Sequence, residues 1–161
     1  MTSLLGWLEG SALGEFLRGL GVWTYGLVNL AHIAGIATLF GSILLVDLKL
    51  LGAWRGLPLA ALTRPAVPLA AGGFALAALA GVCMLSFNAS EYVGNPFLLI
   101  KFAAIGLGLL NALVVSRLPA WRERAAREPT APERRQLAVA GGISLAAWIA
   151  ALAAGRMIGY W

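Results

Sequence analysis

The chain has 161 residues, of which 60% are hydrophobic and 12% are charged, and its formal net charge is +5. Soluble domains carry roughly 25% charged residues, so this composition excludes a soluble globular protein. The one cysteine, Cys83, excludes an internal disulfide and a multi-cysteine zinc site.

Residues 3–20 carry apolar side chains at helical spacing, and polar residues such as Glu9 and Arg18 lie mostly on the opposite face. This pattern predicts an N-terminal amphipathic helix that lies in the membrane interface, packs as a cap across the outer end of a bundle, or does both. Gly10 and Gly14 weaken this helix, so we expect it to break into two pieces. The segment lacks the basic start and the cleavage site of a signal peptide, so we expect no removable leader.

Four apolar stretches follow, and each is long enough to cross a hydrocarbon core of about 30 Å as a helix. They cover about residues 22–46, 66–87, 97–115 and 137–154. Because short connections make neighbouring helices antiparallel, the predicted fold class is all-α, an integral membrane four-helix up-down bundle. With the N-terminal amphipathic interfacial helix, this bundle is predicted to form a single transmembrane domain over residues 1–161.

Two boundaries of these spans carry recognisable signals. Pro65 and Pro68 fit the first turn of the second span, where a missing backbone N–H costs little. Thr130 and Glu133 have the spacing of a capping box, which predicts that the fourth helix opens just after Thr130.

The basic residues predict the orientation of the spans, because Lys and Arg are retained on the cytoplasmic side of a membrane. Of the twelve basic residues, three lie on one side of the spans and the other nine lie in two loops, including the segment 117–135. We therefore predict a multi-pass protein with 117–135 as a solvated cytoplasmic loop and with both termini periplasmic. This distribution argues against a nucleic-acid partner. The three residues on the other side are Arg18, Lys101 and Arg156.

His32 is the only histidine, and between residues 22 and 46 no other side chain carries a charge near neutral pH. An ionisable group at mid-membrane is costly, so His32 is a candidate functional residue. Tyr25 and Asn29 precede it by seven and three residues, which places all three side chains on one helix face. A polar stripe in lipid is expected to face the bundle interior or a cavity.

Small residues are predicted at the depth of His32 in the other spans, given a rise of about 1.5 Å per residue. They either let the helices approach closely or leave room for a flat cofactor beside the imidazole. His32 is therefore a candidate metal or haem ligand. The alternatives are a structural histidine hydrogen-bonded to Asn29 or Trp148, and a proton- or substrate-binding role. The residues at this depth are Ala78, Gly81, Gly106, Gly108, Ala147, Trp148 and Ala151.

Lys101 and Arg156 are predicted near the outer surface, at about the depth of Glu91. Both long side chains can simply extend to the membrane interface. The functional alternative is a cationic rim for an anionic group, such as a haem propionate, a lipid phosphate or a carboxylate.

The inner half of the predicted bundle contains Asp47, which we expect to pair with Lys49 or Arg64. Asn111 and Ser144 fall in the same half. Their spacing is too sparse to indicate a proton path from His32 to Asp47.

Three segments of the sequence are distinctive. They are residues 32–35 leading to Gly41 and residues 46–52, residues 91–97 leading to Lys101 and Asn111, and residues 144–148 leading to Gly155 and Arg156. With these segments, the chain resembles over nearly its whole length an uncharacterised family of small bacterial four-helix inner-membrane proteins, a domain of unknown function. The resemblance implies this architecture and a bacterial inner-membrane location, but no particular activity.

A weaker likeness connects His32 and its small neighbours to CopD-type copper-resistance membrane proteins and to b-type cytochrome bundles. It implies haem b or copper as the cofactor. This chain has no further histidine, which argues against bis-histidine haem and against a multi-histidine copper relay.

Three functions follow as hypotheses. The first is a haem b- or metal-binding component of membrane electron transfer or copper handling, with His32 as the ligand. Its predicted neighbours are Tyr25, Asn29 and Trp148, and Lys101 and Arg156 would bind anionic groups of the cofactor. The second is a non-catalytic accessory or assembly subunit, and the third is an oligomeric transporter of protons or a small solute. The expected partners are membrane lipids and either a second copy or another membrane protein.

Overall fold

The computed structural model describes residues 2–161. Within that range the chain forms α-helices and short 3₁₀ helices without any β-strand, as the sequence predicts. The α-helices in chain order are α1 (Thr2–Glu9), α2 (Ala12–Gly19), α3 (Trp23–Leu50), α4 (Leu59–Phe87), α5 (Pro96–Arg117), α6 (Pro119–Arg122) and α7 (Ala131–Met157). The 3₁₀ helices are Ala89–Tyr92 and Ile158–Tyr160.

Helices α3, α4, α5 and α7 are long and apolar enough to cross a membrane. At about 1.5 Å per residue, even the 22 residues of α5 extend roughly 33 Å. Leu27, Leu79 and Leu99 are 66%, 69% and 61% exposed, respectively. Such a density of exposed apolar side chains is unfavourable in water and is expected of surfaces that face lipid.

The start of α4 differs from the sequence-based prediction. This helix begins at Leu59, so Pro65 and Pro68 lie inside it rather than in its first turn. A proline in a helix interior removes a backbone hydrogen bond and crowds the carbonyl of the preceding turn, so it is normally expected at a helix start. Transmembrane helices tolerate interior prolines because neighbouring groups satisfy the freed carbonyls.

The start of α7 confirms the predicted capping box. The Glu133 carboxylate accepts a hydrogen bond of 2.8 Å from the Thr130 backbone N–H, and the reciprocal bond to the Thr130 side chain is also present. The segment 117–135 is nevertheless more ordered than the predicted solvated loop. It contains α6, and the Arg127 guanidinium donates to the Glu123 and Glu133 carboxylates.

The N-terminal amphipathic segment breaks into two helices, as its glycines predict. Helix α1 ends at Glu9, and the Ser11 hydroxyl caps α2 by accepting from the Gly14 backbone N–H. Arg18 then anchors α2, because its guanidinium donates to the carbonyl of Ser86 at 2.9 Å. The predicted cap therefore contacts the last turn of α4.

The chain divides into two compact units. The first comprises the residues up to Leu39 together with Ala70–Asn95. Within it, α3 and α4 meet backbone to backbone at Gly35 and Gly73. A Cβ added at either glycine would lie 2.5 Å from a backbone nitrogen of the other helix.

The second unit comprises Phe40–Leu69 together with Pro96–Trp161, and α5 packs along α7 in it. Four buried residues form its hydrophobic core, and Trp121 packs against them. The Arg124 guanidinium stacks on the Trp121 ring and donates to the Thr63 hydroxyl, which joins the segment after α6 to α4. The four core residues are Leu59, Val115, Ala120 and Leu137.

Candidate functional site

His32 lies in the first unit, half-buried on the face of α3 that meets α4. Its Nδ1 atom is 2.7 Å from the backbone carbonyl oxygen of Ala77. A carbonyl oxygen only accepts hydrogen bonds, so the geometry places the ring proton on Nδ1. In the neutral ring, Nε2 then carries the lone pair.

The position of the His32 ring depends on a glycine in the facing helix. A Cβ at Gly81 would lie 3.2 Å from Cε1 of His32, so the ring occupies space that a side chain at this position would restrict. Gly81 is one of the small residues predicted at the depth of His32. Its absent side chain gives room for the imidazole itself.

Tyr25 and Asn29 lie on the same helix as His32, as their spacing requires. Asn29 is half-buried, and Tyr25 is 40% exposed. The Tyr25 ring packs edge to face on Phe87, with 5.3 Å between the ring centroids. Burial raises the pKa of Tyr92, and the adjacent Tyr25 hydroxyl raises that pKa further. Tyr25 therefore belongs to an aromatic contact near the end of α4.

The other three predicted site residues lie in the second unit. Trp148 is 6% exposed, and a Cβ at Gly108 would lie 2.9 Å from its ring, so α7 packs its indole on the glycine of α5. This confirms that Gly108 and Trp148 share one level.

Lys101 is half-buried beside Gly155, the residue before Arg156. The Arg156 guanidinium stacks on the Tyr160 ring and donates to its hydroxyl.

Of the predicted site residues, Tyr25, Asn29 and His32 lie in the first unit, and Lys101, Trp148 and Arg156 lie in the second. Over residues 2–161, no three His, Cys, Asp or Glu side chains form a group that could hold a metal ion. Among the six predicted site residues, His32 is the one with an imidazole, thiol or carboxylate side chain.

Asp47 is a buried polar residue whose partner the sequence analysis did not predict. It is 3% exposed, and the Ser144 hydroxyl hydrogen-bonds one side of its carboxyl group, whereas Oδ2 has no partner. The predicted pairing with Lys49 or Arg64 is wrong, because the Lys49 ammonium donates instead to the Trp54 carbonyl. Gly141 explains the difference, since its missing side chain lets α7 approach the backbone of Asp47.

The Asn111 side chain also joins two helices in the second unit. Its Nδ2 donates to the carbonyl oxygen of Ala140 at 3.0 Å. The sequence places Asn111 and Ser144 in the inner half of the bundle. In the structure, each of these side chains forms a hydrogen bond between two helices.

Comparisons with models of protein families, with curated proteins and with solved structures find no match to this chain.

Proposed function

We propose that the chain is an inner-membrane protein of a bacterium, with α3, α4, α5 and α7 crossing the bilayer as an up-down bundle and both termini periplasmic. The apolar length of the four helices supports this placement. A cavity in the second unit supports the antiparallel order, because residues from the end of α3 and from the start of α7 line it together. The end of α3 and the start of α7 therefore lie on the same side.

Within this protein, His32 serves as the ligand of a haem b or a copper ion. The observation that carries the proposal is the hydrogen bond from Nδ1 of His32 to the carbonyl of Ala77. Histidines that bind metals almost always donate their other ring N–H to such a group, which fixes the tautomer and the ring orientation. The contact favours Nε2 as an electron-pair donor.

A bound haem b or copper ion would supply one-electron redox chemistry, and the chain would act in membrane electron transfer or copper handling. Tyr25 and Asn29, on the same face of α3 as His32, would border the cofactor. Because the chain has one histidine, a second histidine ligand would have to come from a second copy.

Two substitutions of His32 test the ligand role separately from the structural role. His32→Asn keeps an N–H donor close to the position of Nδ1 but has no atom at Nε2, whereas His32→Ala removes both. We expect protein purified in mild detergent to show a Soret band or bound copper that both variants lose. The Asn variant should keep the wild-type thermal stability, and the Ala variant should lose about 1–3 kcal/mol. A colourless, copper-free wild-type protein would contradict the proposal.

A second candidate function is a non-catalytic accessory or assembly subunit, and the crossing of α3 and α4 favours it. Gly35, Gly73 and the His32–Ala77 hydrogen bond together fix the packing of these two helices on each other. In this case His32→Ala lowers stability, and the wild-type protein carries neither pigment nor metal. The expected partner is a second copy or another membrane protein, so cross-linking in native membranes should trap a specific complex. A lone monomer would contradict it.

A further inference from the structure

The second unit contains a cavity of about 780 Å³ at the end where α3 finishes and α7 begins. Its lining comes from residues 49–53 and 55–59, which include the connection from α3 to α4, and from residues between 128 and 138, among them Arg134, Arg135 and Leu137 but not Glu133. The volume falls in the range of roughly 300–1,000 Å³ that is typical of small-molecule sites. The cavity is therefore large enough for a ligand.

The polar lining of this cavity is strongly cationic. Lys49, Arg55, Arg134 and Arg135 contribute four positive charges, and Glu128 contributes one negative charge. Across the described part of the chain, the ion pairs are those of Arg127 with Glu123 and Glu133, so none of the four cations is paired with a carboxylate. A group with negative charge would complement this lining.

Hydrogen bonds hold both walls of the cavity in place. The Lys49 ammonium donates to the carbonyl of Trp54 at 2.9 Å, and Trp54 has the left-handed φ of 49° that non-glycine residues seldom adopt. On the other wall, the Arg134 guanidinium donates to the carbonyl of Pro129 at 2.7 Å. Lys49 and Arg134 each use one of their several donors in this way, so both side chains are held in place and keep further hydrogen-bonding capacity.

The remaining lining is apolar and belongs to the ends of the long helices. Leu59 and Leu137 line the cavity and are 4% and 2% exposed, and Leu57 lines it from the connection. Trp54, beside this wall, is 49% exposed, as is common for aromatic side chains at a membrane surface. A ligand that suits the whole cavity carries an anionic head and an apolar body.

We propose that this cavity binds the phosphate diester head group of an anionic glycerophospholipid, with the first part of the acyl chains against the leucines. Basic pockets between helices on the cytoplasmic side of membrane proteins bind such head groups. The proposal rests on the membrane placement of the chain and is independent of any cofactor at His32.

Native mass spectrometry of the full chain in detergent tests the proposal with phosphatidylglycerol, phosphatidylcholine and inorganic phosphate as probes. We expect phosphatidylglycerol to bind at least about tenfold more tightly than phosphatidylcholine, because only the former keeps a net negative charge. Arg55→Gln combined with Arg135→Gln should weaken phosphatidylglycerol binding by roughly tenfold or more. Arg55→Lys combined with Arg135→Lys should preserve it, which separates loss of charge from loss of folding.

The matched control is Arg117→Gln combined with Arg122→Gln, which removes two arginines outside the cavity lining. It should leave binding within about twofold of the wild type, and so should His32→Asn. Equal binding of both lipids, or an equal loss in the control variant, would overturn the proposal. Displacement of the lipid by millimolar inorganic phosphate would assign the site to free phosphate and would also overturn it.

Discussion

Asp47 places a carboxyl group among packed helices, where a polar atom without a partner costs free energy. The Ser144 hydroxyl is its hydrogen-bonding partner. We predict that Ser144→Ala lowers the free energy of unfolding by about 1–3 kcal/mol, because it leaves a buried acceptor unsatisfied. Thermal or denaturant unfolding in detergent measures this change.

A double-mutant cycle supplies the control for this contact. In an Asp47→Ala background the carboxyl group is absent, so Ser144→Ala should have a much smaller effect. An equal effect in both backgrounds would mean that the hydroxyl stabilises the fold through another neighbour.

The sequence predicts which polar residues lie within the apolar spans, but it does not predict which groups they contact. His32 could be located from the sequence because no other side chain in its long apolar run carries a charge near neutral pH. Its partner, the Ala77 carbonyl, could not be located, since every residue offers the same acceptor. The error at Asp47 has a related cause, because opposite charges nearby in sequence suggested an ion pair that the packing of α7 replaces.

At the scale of elements, the crossing of α3 and α4 depends on two glycines. A Cβ at Gly35 would lie 2.5 Å from the Ala77 nitrogen, and a Cβ at Gly73 would lie 2.5 Å from the Leu39 nitrogen. Backbone atoms cannot move aside as the end of a flexible side chain can, so an alanine at either position would force the two helices apart. We predict that Gly35→Ala and Gly73→Ala each lower stability by about 1–3 kcal/mol, as measured by unfolding in detergent.

The same helices provide controls for these substitutions. Gly41 in α3 and Gly72 in α4 have no atom within 4 Å of an added Cβ. Gly41→Ala and Gly72→Ala should therefore be neutral or slightly stabilising, since alanine favours the helix more than glycine does. Similar losses in all four variants would argue against a specific crossing.

The attachment of α1 gives a pH-dependent prediction. The Glu9 carboxylate accepts a 2.7 Å hydrogen bond from the Ser90 backbone N–H, and this bond lowers the pKa of Glu9 below its ordinary 4.5. Because the pKa is lower in the folded state, the contact is fully stabilising above pH 4.5 and is lost as the pH falls through the lowered value. Hydrogen exchange at Ser90, corrected for the intrinsic pH dependence, should therefore lose protection in acid.

Glu9→Gln tests the origin of that change. A neutral amide at position 9 should give weaker protection of the Ser90 amide at neutral pH and remove the acid-dependent step. Glu15→Gln alters an exposed carboxylate on α2 and should retain the wild-type profile. An acid-dependent loss that persists in Glu9→Gln would assign the titration to another group.

The bounds of the long helices show which parts of the fold sequence patterns can predict. Apolar length predicted all four long helices, and the capping residues predicted the start of α7 at Ala131. The start of α4 was predicted seven residues too late, because Pro65 and Pro68 suggested a helix start. A proline pattern cannot distinguish a first turn from a helix whose neighbours compensate the lost hydrogen bonds.

At the scale of the whole molecule, apolar length predicts how many helices can span a membrane, and charge predicts which way they point. The proposed orientation places the connection between α3 and α4 and the segment around α6 in the cytoplasm, where most basic residues lie. Contacts between helices depend on single glycines and carbonyl groups, so composition does not predict them.

Cysteine labelling in a bacterial inner membrane tests this orientation. The background is Cys83→Ser, which removes the one native thiol, and the probes are Ala125→Cys and Trp161→Cys at exposed positions. A membrane-impermeant maleimide should label Trp161→Cys in cells with a permeabilised outer membrane. It should label Ala125→Cys only after the inner membrane is opened, because the positively charged segment is retained inside. The reverse pattern would place the termini in the cytoplasm, and labelling of both positions from one side would contradict the single span, α7, that the proposal puts between them.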